Sequence, residues 1–453
     1  MGNSDIRGGK AGPLAWFVVM MAGLVLLGFL KDIYRDDFPM GEELYLMDFV
    51  LTFEANLDSW YPMYKAAFEK MTNPDDGLYQ TIFFDQHIKF QYPPPSLLPI
   101  MALIQFDVGW PSILELMNIS SFLSMIALSW CVYRIAIVIF RSYGGWTEIS
   151  PILRIVLFLV MLVGTLTFYP IIRAQYLGQI QVMLDLVIAL AFLLWLEERK
   201  AAAGIMIALA ALVKPQFGLL LLWALLRKEK HFALGMFAVL AVVGIVSLIV
   251  FGFRDHIDYL AVLSYIGKHG EVFWANQSFN GILNRLISDV SSLEWNFYAY
   301  APYNGLVYAG TLASTICFLL FGLFYRPAWV RNNPDNKNPM ITLLDMATMV
   351  LLLTIASPVA WEHHYGVAWP VAVIFLALIV ILLRTDNAIP TVLALVFGIA
   401  GYFLLANFFP YTEEVQYSTP PINILQSYIF FGCLLLIAAL LLLRVRARSL
   451  LQS

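Results

Sequence analysis

Charge is scarce in this chain. Of its 453 residues, 13% are Asp, Glu, Lys or Arg, about half the share of roughly 25% found in soluble domains. Apolar residues make up 60%, and apolar runs recur to the C-terminus. That balance excludes an ordinary soluble enzyme and predicts an all-α polytopic membrane protein. Cysteine is scarce too. Cys131, Cys317 and Cys433 lie far apart, each inside an apolar run, which excludes a disulfide framework and a thiolate zinc site. No basic patch with interleaved aromatics points to nucleic acid. There is no low-complexity linker and no internal repeat, so the reading is a single membrane domain over residues 1–453.

About twenty apolar residues cross a bilayer. Ten runs qualify as full spans: 13–30, 113–140, 149–168, 179–196, 232–251, 303–325, 341–356, 367–383, 388–409 and 423–443. The first lacks a convincing cleavage site and is read as a retained helix. Runs 96–106, 201–213 and 217–226 are too short to cross alone and predict half-helices. Lys and Arg cluster at alternate ends, as in Arg199-Lys200, Arg227-Lys228 and Arg444 to Arg448. With those ends cytoplasmic, both termini lie inside. Runs 201–213 and 217–226 then form a hairpin with Lys214-Pro215 at its tip. The opposite face receives the loops 31–92, 169–178, 252–301, 357–366 and 410–422, which hold most of the unusual polar residues.

The longest of these, 31–92, is read as an outer loop carrying juxtamembrane helices. It is rich in carboxylates and aromatics and ends in Pro93-Pro94-Pro95. Asp58 opens an amphipathic stretch running to Met71, either as a helix N-cap or as a general base held at the membrane surface. Asp36, Asp37, Asp48 and Glu54 compete for the base. Asp185 is a carboxylate within an apolar span, which is expensive and by default functional or partnered. Lys214 is its natural buried partner; equally, a cation at a helix break suits a phosphate. Asn276 and Gln277 offer neutral hydrogen bonds of the kind sugar hydroxyls take. His363 and His364 sit beside Trp361 and Glu362 in a short loop. Adjacent histidines share one ion poorly, so phosphate or sugar recognition is preferred to a metal.

Taken in order, these pieces resemble glycosyltransferase family 87. The matching residues are Asp58, Tyr61 and Tyr64-Lys-Ala-Ala, then Phe90-Gln-Tyr92-Pro-Pro. Next come Gly178-Gln179, Lys214-Pro215, Asn276-Gln277-Ser with Asn280-Gly281, and Ser357-Pro through Trp361 to His363-His364. Two departures stand out. Asp58 lies about twenty-seven residues beyond the first span, and Tyr61 follows it by three residues rather than about four.

The resemblance implies a GT-C fold and transfer of a hexose, mannose first, from a polyprenyl phosphate to a lipid or glycan acceptor. It places the chemistry on the outer face of a bacterial plasma membrane. The displacement is single and inverting, and no metal or cofactor is required. Asp58 would be the base. Lys214, His363, His364, Arg173, Gln179, Tyr64, Tyr92, Asn276, Gln277 and Asp185 would bind the substrates. The reading from another class is a transporter or flippase for lipid-linked glycans, which also uses broken helices and midplane charges.

Overall fold

The computed structural model describes residues 12–33, 54–144, 149–331, 338–384 and 388–450. Among these, the secondary structure is helical apart from one isolated bridge, Asn276 to Trp361. The carboxylates Asp36, Asp37 and Asp48 lie outside the described residues.

After α1 (Gly12–Ile33) come α2 (Trp60–Thr72), a π-turn (Gln80–Asp85) and α3 (Leu98–Gln105). The long α4 (Trp110–Tyr143) leads to α5 (Pro151–Thr167) and α6 (Tyr169–Leu177). Then follow α7 (Gln181–Leu196), α8 (Lys200–Ala211), α9 (Leu219–Arg227) and α10 (Lys230–His269). The C-terminal part holds α11 (Phe279–Ile287), α12 (Gly305–Phe324), α13 (Pro339–Ile355), α14 (Ala368–Leu382), α15 (Ile389–Ala406) and α16 (Tyr428–Leu450).

Each expected span is helical, but helix length qualifies fewer of them. Six described helices are long and apolar enough to cross a membrane, or seven if α5 and α6, bent by 55°, form one broken span. The bend follows from Phe168 and Pro170, because proline at the start of α6 has no N–H to carry the helix through. α10 is broken at Gly252, where φ is +71°. That conformation is available mainly to glycine, and it ends the expected 232–251 span where the polarity rises.

The predicted half-helices are present as α3, α8 and α9. The Lys200 ammonium meets Glu229 at 2.7 Å, so the start of α8 and the end of α9 share one level. α8 is 12 residues long, roughly 18 Å at the helical rise, so Lys214 lies that far from the basic ends. Gly204 and Gly235 let α8 and α10 touch backbone to backbone; an added Cβ on either would lie 2.1 Å from a carbonyl oxygen of the other helix.

Burial divides the chain between two apolar clusters. The larger joins α1, α4, α5, α7, α8 and α13 to α16. Every residue of α14 is buried, as expected of a helix apolar on all sides. The smaller packs α2, the π-turn and α3 against the second half of α10, around Trp60, Tyr79, Phe90 and Tyr259. At the basic end, Asp345 on α13 accepts from Arg227 at 2.5 Å and Arg444 at 2.9 Å. The candidate site lies at the opposite end of α7 and α8.

Candidate functional site

Residues 56–59 run beside the end of α6. The amides of Asn56, Asp58 and Ser59 donate to the carbonyls of Tyr176, Leu177 and Gly178 at 3.0–3.1 Å. Gly178 makes this approach possible. Its φ is +68°, and a Cβ there would lie 1.8 Å from the Asn56 carbonyl oxygen. The cap of α2 is Ser59, with no side-chain capping bond. The Asp58 carboxylate therefore does not cap the helix, and it is left to line a cavity.

Gln179 organises that carboxylate. Its amide nitrogen donates to Asp58 Oδ2 in a short hydrogen bond. Its amide oxygen accepts from Ser59 Oγ at 2.6 Å and from the Tyr92 hydroxyl at 3.3 Å. Ser59 Oγ and the Tyr92 hydroxyl are 2.8 Å apart. Burial raises the pKa of Asp58 above the ordinary carboxylate value; the Gln179 bond and the charges of Arg173 and Lys89 pull it back.

The cavity has a volume of about 1160 Å³. Besides Asp58, Gln179 and Tyr92, its wall includes Lys214, His363, His364 and Arg173. Lys214 precedes a 3-10 turn, Pro215–Gly218, that joins α8 to α9. Its ammonium donates to Gln181 Oε1 at 2.6 Å, and Gln181 Nε2 donates to Asp185 Oδ1 at 2.6 Å. The buried carboxylate thus supports the lysine through an amide rather than by direct pairing. The ammonium has no other hydrogen bond among the described residues, which leaves N–H capacity for a ligand.

His363 and His364 lie on a 3-10 turn, Glu362–Val367, with rings perpendicular at 4.6 Å. His363 is 1% exposed, and neither ring nitrogen has a partner among the described residues. A buried polar ring without partners costs free energy unless something satisfies it. Arg173 Nε donates to the neighbouring Glu362 at 2.6 Å.

Four expected binding residues lie off the cavity wall. Asp185 sits behind Gln181, fully buried against Gly366. Tyr64 packs on Phe68 and, at 4.6 Å between ring centres, on Trp110. Asn276 donates to the Glu271 and Pro358 carbonyls and accepts from the Ala360 amide. Gln277 bridges the Trp274 and Gln426 carbonyls and accepts from the Ile429 amide. Both amide side chains are consumed in stapling strand-like backbone together, which a group with donors and acceptors does well. They position the histidine turn, whose Glu362 amide donates to the Ala275 carbonyl at 3.1 Å. Glu54 is exposed and also lies off the wall.

Several site residues escape a motif-based reading. Gln181 lies two residues after Gln179 and carries Lys214. Ser59 is the hydroxyl that shares Gln179 with Asp58. Lys89, also on the wall, pairs with Glu271 at 2.6 Å. Burial lowers the Lys89 pKa, and Glu271 raises it back. A lone cation in the aromatic run Phe83 to Tyr92 was the available signal.

A comparison with curated proteins finds no match. A comparison with family models matches residues 90–354 to glycosyltransferase family 87. The matched region contains Gln179, Gln181, Lys214 and Glu271. Asp58, Ser59, Lys89 and the two histidines join it only through the fold. With more than half its length matched and membrane-length helices throughout, the chain belongs to glycosyltransferase family 87, and its activity is that of a membrane glycosyltransferase.

Proposed function

We propose that the protein transfers a hexose, mannose first, from a polyprenyl phosphate to a hydroxyl of a lipid or glycan acceptor. The whole chain acts as one GT-C-type membrane domain, with residues 31–92 as its outer loop. It sits in the bacterial plasma membrane with both termini cytoplasmic and the cavity at the outer face. The observation that carries this reading is the convergence on a single cavity of the Asp58 carboxylate with Lys214, His363 and His364; the other carboxylate on the wall, Glu362, is paired with Arg173. Family membership supports sugar transfer over the flippase reading.

The step is an inverting displacement. The acceptor oxygen bonds to the anomeric carbon as the bond from that carbon to the phosphate oxygen breaks. The acceptor proton passes to Asp58, and the polyprenyl phosphate leaves with the bonding pair. Charge accumulates on the phosphate, where Lys214 and the two imidazoles can donate hydrogen bonds. Because the leaving group departs as an anion, no general acid is needed. Gln179 aims the carboxylate, and burial keeps it basic enough to accept a proton.

The test is transfer by the purified full-length protein, with radiolabelled polyprenyl-phosphate mannose and a panel of mannosides and glycolipids. Product with inverted anomeric configuration supports the reading. Retained configuration, or transfer only from a nucleotide sugar, overturns it.

A further inference from the structure

The donor wall and Asp58 leave one side of the cavity unused. That side is built by the loop between α11 and α12, and its lining includes Trp295, Phe297 and Tyr298 together with Trp361, Phe273 and Lys89. We infer that this wall is the acceptor subsite and that Trp295 is its platform for a saccharide ring. The inference rests on the transferase reading above.

Three observations converge. First, the aromatics form a connected patch. Trp295 and Phe297 ring centres are 4.2 Å apart, Trp295 and Trp361 5.6 Å, and Trp361 and Phe273 5.7 Å. Such faces take the C–H surface of a sugar ring.

Second, the loop is anchored by a buried ion pair rather than left loose. The Lys89 ammonium, about 10% exposed, bonds Glu271 at 2.6 Å and the Asn296 carbonyl at 2.8 Å. It also lies over the rings of Trp295 at 5.2 Å and Tyr300 at 4.5 Å. Glu271 neutralises it, so the wall suits a neutral sugar rather than a second anion.

Third, Lys89 lies three residues before Tyr92, whose hydroxyl donates to Gln179, the same amide that holds Asp58. A ring on Trp295 therefore lies on the base's side of the cavity, where an acceptor hydroxyl must be to lose its proton. Phe297 and Tyr298 are 64% and 74% exposed, which puts them at the mouth through which a larger acceptor would extend.

The experiment uses the full-length protein in detergent, with Trp295→Ala and Trp295→Phe. Kinetics are run with polyprenyl-phosphate mannose against a mannoside acceptor, and saturation-transfer NMR is run with mannobiose alone. The acceptor KM rises about tenfold in Trp295→Ala, the loss of an aromatic contact. It recovers in Trp295→Phe, and the donor KM moves less than twofold. Mannobiose ring protons receive saturation from the wild type and lose it in Trp295→Ala. An increase confined to donor KM, no change in either, or Trp295→Phe as impaired as Trp295→Ala overturns the assignment. If Trp295→Ala does not fold, Trp295→Leu replaces it against Trp295→Phe. Wild-type protein that binds mannobiose but transfers no sugar removes the transferase reading and leaves the saccharide site. Wild-type protein that transfers mannose without saturation at the sugar ring removes the site and leaves the transferase.

Discussion

Asp58 carries the sharpest expectation at the scale of single residues. Asp58→Asn preserves shape and leaves an amide beside Gln179, so the protein should still fold and bind donor. It removes proton acceptance, which contributes about 10²–10⁴-fold in rate. Turnover measured with polyprenyl-phosphate mannose should fall by that factor. Near-normal turnover would move the base to another carboxylate of the outer loop. The pH profile gives a second check. Asp58 must be ionised to act, and its pKa is raised by burial. Activity is therefore lost on the acid side, with a limb above the ordinary carboxylate range. The Lys89 charge favours the ionised form, so Lys89→Met should move that limb to higher pH. A limb that stays put or moves down would detach Lys89 from the base. Lys214→Met should weaken donor binding by about 1.5–3 kcal/mol, as for a lost charge-assisted hydrogen bond. Unchanged donor affinity in an equilibrium binding assay would confine the lysine to its bond with Gln181.

Elements act here chiefly by where they stop. α8 ends at Ala211, and the chain resumes helix only at Leu219. The intervening turn holds Lys214 at a depth that an unbroken helix would have filled with apolar side chains. α6 ends at Gly178, whose left-handed backbone makes room for Asn56. Gly178→Ala faces a left-handed strain of about 1–2 kcal/mol as well as the collision with the Asn56 carbonyl. The 56–59 segment must then shift, and Asp58 with it. Misplacing a reacting group by about 1 Å costs about 10²-fold in rate. Initial-rate assays should show a loss of that order in kcat, while α7 and the Lys214 turn still support donor binding. Equal loss of donor affinity would mean that the damage spreads beyond the loop.

For the whole molecule, the separation of charges carries the expected orientation. The ends of α8 and α9 carry Lys200, Arg227 and Lys228, and Arg444 lies with Arg227 around Asp345. The cavity, with Asp58 and Lys89, is at the other ends of these helices. Positive residues favour the cytoplasmic side. With exposed Cys317 replaced by Ala, an impermeant maleimide should label Asp76→Cys in intact spheroplasts and Glu198→Cys only after lysis. Both positions are exposed. The reverse pattern would put the cavity inside the cell.

Membrane class, helical content, the half-helices and the break at Lys214-Pro215 were all legible in the sequence. Each rests on local composition: apolar run length, proline, and a charge in apolar surroundings. Asp58, Lys214 and the histidine pair were legible as separate signals for the same reason. Which side chains meet was not legible, because it depends on packing between segments more than a hundred residues apart. Asn276 and Gln277 looked like sugar ligands by type, but the fold spends their amides on backbone. Asp185 looked like a ligand or the direct partner of Lys214, but one turn of α7 places Gln181 between them. Lys89 and Trp295 carried no motif, and only the tertiary structure brings the loop before α12 against residue 89. Hydropathy is written locally and survives in a linear reading; a site assembled from distant loops exists only once the helices have packed.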